Sequence, residues 1–284
     1  FKLPDFIQTM MDNKWLGSKS GQGFYKKIKH DDGSSEIKSL DIDKMDYRDG
    51  QKAKFDTLEK TKKIDEVVDR FPVLVDGDDK AGKFYRANFA SLFAYVQNRI
   101  PEITDAIYKI DDAMKAGFGW QHGPFEIWDA IGVEKGIQLM KDHGFDVAEW
   151  VHHFAEQNNA TFYTIKSGQT YCYDIDRKEH LKIPGQDAFI ILDNIRESKE
   201  IMSNKDLVAT DLGDGIMNIE FRSKMNSIGG DVLNGINAAM DIAERDYDGV
   251  VISNTGDNFS VGADIGMIFM FAVEQEYEEL NSAI

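Results

Sequence analysis

The sequence predicts an α+β chain in which a mainly helical region precedes a truncated region of strands and helices in ββα order. Two observations support this prediction. Apolar residues recur at helical spacing across residues 84–157, which is typical of helices packed on one core. After residue 206 the pattern changes, because strand-like runs at 215–221 and 248–253 flank a helical pattern.

The first part of the chain predicts one helix and a polar stretch. A helix over residues 3–15 is expected to end near Gly17. Its apolar stripe consists of Phe6, Ile7, Met10, Met11 and Trp15. Residues 27–54 are rich in Lys, Asp, Ser and Gly, so we expect a solvated excursion with one short strand near 36–40.

Capped helices are predicted between residues 84 and 157. A long helix over 84–100 precedes Pro101, and another helix is expected over 145–157. Asp111 or Asp112 could cap a short helix that Gly117 ends, while Gly123-Pro124 begins the next helix. The expected core includes Phe89, Phe93, Phe125, Trp128 and Trp150.

Two hairpins and a strand–helix–strand unit are predicted in the remainder. Residues 161–166 and 170–175 flank a turn in which Gly168 supplies a positive φ, and a second hairpin is expected around Gly213-Asp214-Gly215. The helix that follows has an apolar face made of Leu233, Ile236, Met240 and Ala243.

The most informative stretch is the glycine-bearing loop at 254–265, between a predicted strand and a predicted helix. Such a loop leaves backbone N–H groups unpaired and pointing one way, as an oxyanion requires. The alternative is that Gly262 only permits a tight turn and that Asp264 caps the next helix.

The run Phe259-Ser-Val-Gly-Ala-Asp-Ile265 resembles the first oxyanion-hole segment of the crotonase (enoyl-CoA hydratase/isomerase) superfamily. The resemblance implies that the backbone N–H of Ala263 donates to a thioester carbonyl. The other residues that it implies at the substrate or CoA site are Ser260, Gly262, Asp264 and Ile265.

A second segment, Arg222-Ser-Lys-Met-Asn-Ser227, is similar to the one that lies against the CoA moiety in that superfamily. The resemblance makes Lys224 a candidate contact for a CoA phosphate or ribose. The alternative is a solvated surface lysine, which is the commoner fate of this residue type.

The run from Ile110 to Gly132 looks like the C-terminal helical domain of 3-hydroxyacyl-CoA dehydrogenases, through its Ile-Asp-x-Ala-Met, Gly-x-Gly and Gly-Pro-Phe-Glu motifs. The run Gly17-Ser-Lys-Ser-Gly-Gln-Gly-Phe-Tyr25 resembles the signature that closes one copy of that domain. Both blocks serve architecture in that family. Together with the crotonase-like part, they match multifunctional fatty-acid oxidation proteins, which fuse a dehydrogenase with two such helical domains to a crotonase domain.

This resemblance implies NAD as cofactor and acyl-CoA thioesters as substrates, and a thiolase subunit or self-association as the protein partner. It divides the chain into the end of a first helical domain (1–27), a polar linker (28–83), a second helical domain (84–157), a hairpin and linker (158–205), and the N-terminal part of a crotonase-like domain (206–284). No G-x-G-x-x-G unit is present. We therefore expect an internal fragment of a longer protein, with the NAD site, the dehydrogenase His–Glu pair, the second oxyanion donor and the catalytic glutamates outside this chain.

Composition limits the partners and the compartment. With 33 Lys+Arg against 50 Asp+Glu, the formal charge of −17 disfavours nucleic acid, and a CoA site has to rely on local cations such as Lys224. The single cysteine, Cys172, excludes an intramolecular disulfide and favours a reducing, cytoplasmic location. No apolar run approaches the ~20 residues of a membrane span. Neighbouring His152 and His153 would point about 100° apart on a helix, so no metal site is expected.

Two functional hypotheses from different classes follow. The first is an enzyme of fatty-acid β-oxidation whose parent protein interconverts 3-hydroxyacyl-CoA and 3-oxoacyl-CoA with NAD, and hydrates or isomerises enoyl-CoA. The second is a non-catalytic scaffold with a degenerate crotonase domain that binds acyl-CoA or a partner subunit. The oxyanion hypothesis for Ala263 belongs to the first.

Overall fold

The computed structural model describes residues 3–158, 160–256 and 258–282. Along these ranges, a small sheet unit is followed by a helical unit and then by a mixed sheet with its own helices. The predicted α+β class is confirmed. The expected divisions 1–27, 158–205 and 206–284 each include residues outside the described ranges. None of the helices described here has the length and apolar character needed to cross a membrane.

The N-terminal unit contains one helix and an antiparallel sheet. Helix α1 spans Asp5–Asp12, and strands β1 (Tyr25–Lys29), β2 (Ser35–Asp41) and β3 (Asp46–Asp49) pair in the order β1-β2-β3. The short strand expected near 36–40 is confirmed as part of β2. Trp15 lies beyond α1, with its ring 5.6 Å from that of Tyr47, whose hydroxyl donates to the Gly23 carbonyl.

The glycine-rich run before β1 has a structural reason. A Cβ added to Gly23 would lie 2.8 Å from the Cα of Gly17, so only glycine allows these two backbone segments to approach this closely. This close approach agrees with the architectural role expected for the run.

Residues 28–83 differ from the expected polar linker. They contain most of the small sheet and also helices α2 (Asp56–Thr61) and α3 (Arg70–Asp76). Val75 is buried in the core of the helical unit. Short elements with one buried face leave most side chains polar and solvated, so their composition is similar to that of a linker.

The helical unit contains α4 (Lys80–Gln97), α5 (Ile107–Phe118), α6 (Pro124–Ile131), α7 (Val133–Asp142) and α8 (Glu149–Ala155). Its core is aromatic: the rings of Phe93 and Trp128 stack 4.7 Å apart, and Phe125 and Phe89 extend the cluster. Trp150 lies at the edge of the core, where its indole N–H donates to the Gln97 carbonyl at 3.1 Å. The predicted core is confirmed, with Trp150 half-buried.

Two expected features of α5 are corrected: the residue at which it ends and the role of Asp111. Helix α5 continues through Gly117 and ends at Phe118, because Gly119 adopts the left-handed conformation that terminates helices (φ 67°). Asp111 lies inside α5 and does not cap it. Its carboxylate accepts the N–H groups of Phe125 and Glu126, in the first turn of α6. It therefore caps a neighbouring helix, a pairing that only tertiary packing produces.

Two helical glycines are expected to respond oppositely to alanine. A Cβ at Gly136, on α7, would collide with the indole of Trp128, whereas a Cβ at Gly117 meets no atom within 4 Å among the described residues. Gly136→Ala should therefore lower the free energy of unfolding by about 1–3 kcal/mol, and Gly117→Ala should raise it by about 0.5–1 kcal/mol. Urea denaturation of the purified chain measures both changes. Equal effects of the two substitutions would contradict this packing.

A second antiparallel sheet belongs to the helical unit. Strands β4 (Tyr163–Lys166), β5 (Gln169–Asp174) and β6 (Glu179–Lys182) pair in the order β4-β5-β6, and Gly168 has the predicted positive φ of 75°. Phe162 and Tyr173 are buried in the aromatic core. The backbone N–H groups of Phe162 and Tyr163 donate to the Asp129 carboxylate of α6. The unit therefore extends beyond the expected boundary at 157.

The C-terminal unit follows the short helix α9 (Leu192–Ile195). Its strands β7 (Glu200–Ser203), β8 (Leu207–Gly213), β9 (Ile216–Phe221) and β10 (Gly249–Ile252) have the order β10-β9-β8-β7, and β10 runs parallel to β9. Helix α10 (Gly230–Asp246) connects β9 to β10, and helices α11 (Ile265–Glu274) and α12 (Tyr277–Ser282) follow. The predicted hairpin and the strand–helix–strand–loop–helix order are confirmed.

The buried face of α10 shares Ala243 with the predicted face, and Ile236 packs at its edge, but the rest of the buried face is rotated. The residues buried against the sheet are Val232, Gly235, Ala239 and Ala243. Met240 is exposed. A Cβ on Gly235 would lie 3.0–3.1 Å from Leu207, so the helix approaches the sheet along its small residues. Hydrophobic spacing alone favours the large residues instead.

Strand β10 is an edge strand, whereas the crotonase resemblance implies a buried strand over residues 250–253. Val251 and Ile252 are 43% and 44% exposed. Apolar residues of α11, such as Phe269 and Met270, are also exposed. No described strand pairs with the outer side of β10, which leaves an apolar surface at this end of the sheet.

Candidate functional site

The loop between β10 and α11 lies against the segment that follows β9. This segment contains a short 3-10 helix, Lys224–Asn226. The Ile228 N–H donates to the Gly262 carbonyl at 2.8 Å, and the Asp264 N–H donates to the Ile228 carbonyl at 2.9 Å. The two stretches that the sequence predicts to form the site are therefore bonded to each other.

Ala263 lies between these two bonded residues and forms a parallel bridge with Ile228. In this pattern the flanking residues bond to the partner, so the N–H of Ala263 points to the other side. That N–H has no hydrogen-bond partner within the described residues. Ala263 is exposed, and Gly262 before it has a left-handed φ of 91°. The loop thus offers a backbone donor to an incoming acceptor.

Asp264 caps helix α11. Its Oδ1 accepts the N–H of Gly266 at 2.9 Å and that of Met267 at 3.3 Å. The turn at Gly262 and this cap are what the simpler interpretation of the loop predicts, and neither uses the Ala263 N–H. The turn and the cap therefore leave this N–H available among the described residues. Ile265, at the start of α11, is 79% exposed.

Ser260 and Asn226 join the two segments by side-chain bonds. The Ser260 hydroxyl donates to the Asn226 carbonyl at 2.7 Å and accepts the Gly262 N–H at 3.0 Å. The side-chain amide of Asn226 donates to the Asn258 carbonyl at 2.7 Å. Asn226 is not among the site residues predicted from the sequence. The feature that could have indicated it is an asparagine in an irregular segment, because asparagine tolerates left-handed backbone.

Lys224 is exposed and forms no ion pair among the described residues. Arg222, two residues earlier, is engaged: its guanidinium contacts Glu66 at 2.9 Å and Glu220 at 3.5 Å. Lys224 is therefore the cation of this segment that a ligand phosphate can reach without breaking an existing ion pair.

Two cavities differ in their relation to the site. The smaller one, of about 320 Å³, adjoins the loop and is lined by Glu66, by Gln121 of the helical unit, and by Arg222, Asn226 and Asn254. A larger cavity of about 730 Å³ lies between α5, α6 and the β4–β6 sheet. It contains none of the residues that the sequence predicts at the site. The large cavity and the candidate donor thus belong to different parts of the fold.

Two carboxyl groups in the helical unit, the buried Asp111 and the half-buried Asp129, have structural partners. Asp111 accepts two backbone N–H groups and the hydroxyl of Tyr163, and Asp129 accepts two backbone N–H groups. Burial raises the pKa of each carboxyl to about 7, although these hydrogen bonds lower it. Both groups hold elements together, and neither lies beside the loop of Ala263.

The raised pKa of Asp111 predicts a pH dependence of stability. Between about pH 4 and pH 7 the carboxyl ionises in the unfolded chain and stays protonated in the folded chain, so stability falls as pH rises. One pKa unit corresponds to about 1.4 kcal/mol, so the loss over this range is on the order of 4 kcal/mol. The free energy of unfolding, measured from pH 4 to 8, should fall more steeply for the wild-type chain than for Asp111→Asn. Parallel profiles would contradict the raised pKa.

Comparisons with known proteins identify a matching family and several relatives of this chain. Residues 91–169 match the family described as the C-terminal domain of 3-hydroxyacyl-CoA dehydrogenase. A probable 3-hydroxyacyl-CoA dehydrogenase of Bacillus subtilis is 35% identical over 285 residues, which cover 100% of this chain and 35% of that protein. Putative fatty acid oxidation complex trifunctional enzymes of Rickettsia felis and Rickettsia prowazekii are 23% and 24% identical over 278 residues, covering 98% of this chain and 34% of each relative.

The chain spans about a third of the length of the curated relatives it matches. It contains a C-terminal 3-hydroxyacyl-CoA dehydrogenase domain and is homologous to enzymes of fatty-acid oxidation. The matched range begins within α4 and ends in β5, so it covers most of the aromatic core of the helical unit, without Phe89 and Tyr173.

Proposed function

We propose that this chain, which contains a C-terminal 3-hydroxyacyl-CoA dehydrogenase domain, works as part of an NAD-dependent 3-hydroxyacyl-CoA dehydrogenase of fatty-acid β-oxidation. The observation that carries the proposal is the match of residues 91–169, together with 35% identity to a named dehydrogenase along the whole chain. In this proposal the protein interconverts 3-hydroxyacyl-CoA and 3-oxoacyl-CoA, with NAD as the hydride acceptor. The helical unit supplies framework, and NAD binds at a site that this chain does not provide.

The second part of the proposal concerns residues 206–284, as a crotonase-like region that acts on enoyl-CoA. The supporting observation is the Ala263 N–H, which has no partner within the described residues and lies on a loop between a strand and a helix. Hydration or isomerisation of an enoyl-CoA places negative charge on the thioester oxygen. A fixed backbone donor stabilises that charge without reorganisation.

The remaining residues of the proposed site have separate roles. Lys224 contacts a phosphate or the ribose of CoA, while Gly262, Asp264 and Ile265 shape the loop around the thioester. We further propose a cytoplasmic location, with a thiolase subunit or a second copy of the protein as partner. The printed names of the two Rickettsia relatives, which refer to an oxidation complex, support an assembly of this kind.

The direct test is NADH formation by the full-length natural protein supplied with NAD and 3-hydroxybutyryl-CoA or a longer 3-hydroxyacyl-CoA. We expect NADH from the full-length protein and none from the isolated 284-residue chain, because the latter lacks a G-x-G-x-x-G unit. Absence of NADH from the full-length protein at every chain length would refute the dehydrogenase proposal. NADH formation by the isolated chain would refute the placement of the NAD site.

A second candidate function is a non-catalytic scaffold. The exposed apolar residues of β10 and α11 favour it, because such patches often mark interaction surfaces. The two candidates differ in one measurable respect. A scaffold binds acyl-CoA or a subunit without converting crotonyl-CoA, whereas the enzyme shows hydration or isomerisation that depends on the Ala263 donor.

A further inference from the structure

We propose that Ser260 and Asn226 are positioning residues that fix the direction of the Ala263 N–H, and that Ser260 is not a CoA ligand. This inference rests on the proposed oxyanion role of Ala263. It assigns a role to Asn226, and it changes the role that the resemblance implies for Ser260.

The hydroxyl of Ser260 is committed within the protein. A serine hydroxyl has one proton to donate, and here that proton is donated to the Asn226 carbonyl at 2.7 Å. Its oxygen accepts the Gly262 N–H at 3.0 Å. Ser260 therefore cannot donate to a substrate without releasing Asn226. The bond to Gly262 restrains the peptide that precedes Ala263.

Asn226 holds the loop at two points. Its side-chain amide reaches the Asn258 carbonyl, and its own carbonyl receives the Ser260 hydroxyl. Asn226 is 9% exposed, and both it and Met225 have left-handed backbone, with φ of 54° and 58°. Consecutive non-glycine residues rarely adopt this conformation, and it persists only where the surroundings enforce it.

Hydrogen bonds from two neighbouring residues hold the loop on both sides of the Ala263 N–H. The loop is tied at Asn258 and Ser260 by Asn226, and at Gly262 and Asp264 by Ile228. Ala263 lies inside this set and its N–H stays free of partners among the described residues. The direction of the donor is therefore set before substrate arrives, which is the condition for electrostatic stabilisation of an oxyanion without reorganisation.

The kinetic test compares three serine variants of the full-length protein with crotonyl-CoA. We expect Ser260→Ala to lower kcat by about tenfold or more, since loss of a complete donor costs ~10²–10³-fold, and to leave KM within about twofold. Ser260→Thr keeps the hydroxyl and should restore most of kcat. Ser203→Ala is the matched control, because that exposed hydroxyl on β7 donates to the Glu200 carboxylate and to no residue of the loop or of the segment that holds Asn226. A raised KM with unchanged kcat in Ser260→Ala would instead identify Ser260 as a CoA ligand and overturn the inference.

A second readout separates this inference from the proposed function. Hydrogen–deuterium exchange of the full-length protein, followed in a peptide that contains residues 258–264, should accelerate in Ser260→Ala and stay unchanged in Ser203→Ala. If the wild-type protein does not turn over crotonyl-CoA, the proposed function fails while accelerated exchange still supports the restraint on the loop. Unchanged exchange in Ser260→Ala overturns the positioning role, whatever the activity.

Discussion

Replacing Ala263 with proline in the full-length protein is expected to lower the turnover of enoyl-CoA by about 10²–10³-fold. Proline has no backbone N–H, so the substitution removes the proposed donor and adds little side-chain volume. Ala263 is exposed, and its N–H has no partner among the described residues, so no existing hydrogen bond is lost. The measurement is kcat for crotonyl-CoA hydration, with circular dichroism to confirm folding. A folded proline variant with full activity would exclude the oxyanion role and favour the scaffold.

Two companion variants isolate the effect of the donor. Ala263→Gly keeps the N–H and should retain most of the activity. Lys224→Ala should weaken acyl-CoA binding with a smaller effect on kcat, because a contact made equally in the ground and transition states changes binding more than the chemical step. Lys224 has no ion pair among the described residues, so its removal leaves no carboxylate without a partner.

Arg196→Met is expected to lower the free energy of unfolding of the chain by about 3–5 kcal/mol. Arg196 follows α9, and its Nε and Nη2 donate to the two carboxylate oxygens of Glu220 at 2.9 and 2.8 Å. Glu220, on β9, is 1% exposed. Hydrogen bonds to Glu220 raise the pKa of Arg196, so the guanidinium stays positively charged. Among the described residues, loss of the guanidinium leaves this buried carboxylate with only the longer ion pair to Arg222 at 3.5 Å.

Urea denaturation tests this expectation with two further variants. Arg245→Met removes an exposed ion pair with Asp246 and should leave the free energy of unfolding nearly unchanged, because solvent screens such pairs. The double variant Arg196→Met/Glu220→Leu removes both buried charges and should recover much of the lost stability. If Arg196→Met cost no more than Arg245→Met, the buried pair would not stabilise the junction between α9 and the C-terminal sheet.

Sequence periodicity was sufficient for the elements that bury one continuous apolar face. The face of α4 contains Phe89 and Phe93, and both lie in the observed core. The turn at Gly168 was also predictable from the sequence. A two-residue hairpin loop requires positive φ values, which glycine and small polar residues adopt most easily. Local rules set these elements, so no knowledge of their partners was needed.

Tertiary contacts determined which residues are buried in the elements whose burial the sequence periodicity did not predict. Trp150 lies at the edge of the core and not at its centre, because its indole N–H needs a polar partner, which is the Gln97 carbonyl. The buried face of α10 follows Gly235 and Ala239, since close approach to the sheet selects small residues. The apolar β10 is exposed because it is the edge strand, and a position within a sheet is a property of pairing rather than of composition.

The candidate site shows the same division. The sequence by itself determined the order strand–loop–helix, the glycine turn and the cap of Asp264, since these depend on neighbouring residues. Only the tertiary structure placed Asn226 and Ile228 against that loop, from more than 30 positions earlier in the chain. Hydrogen bonds between distant segments leave no period in a sequence. The direction of the Ala263 N–H depends on those bonds, so it could be decided only once the chain had folded.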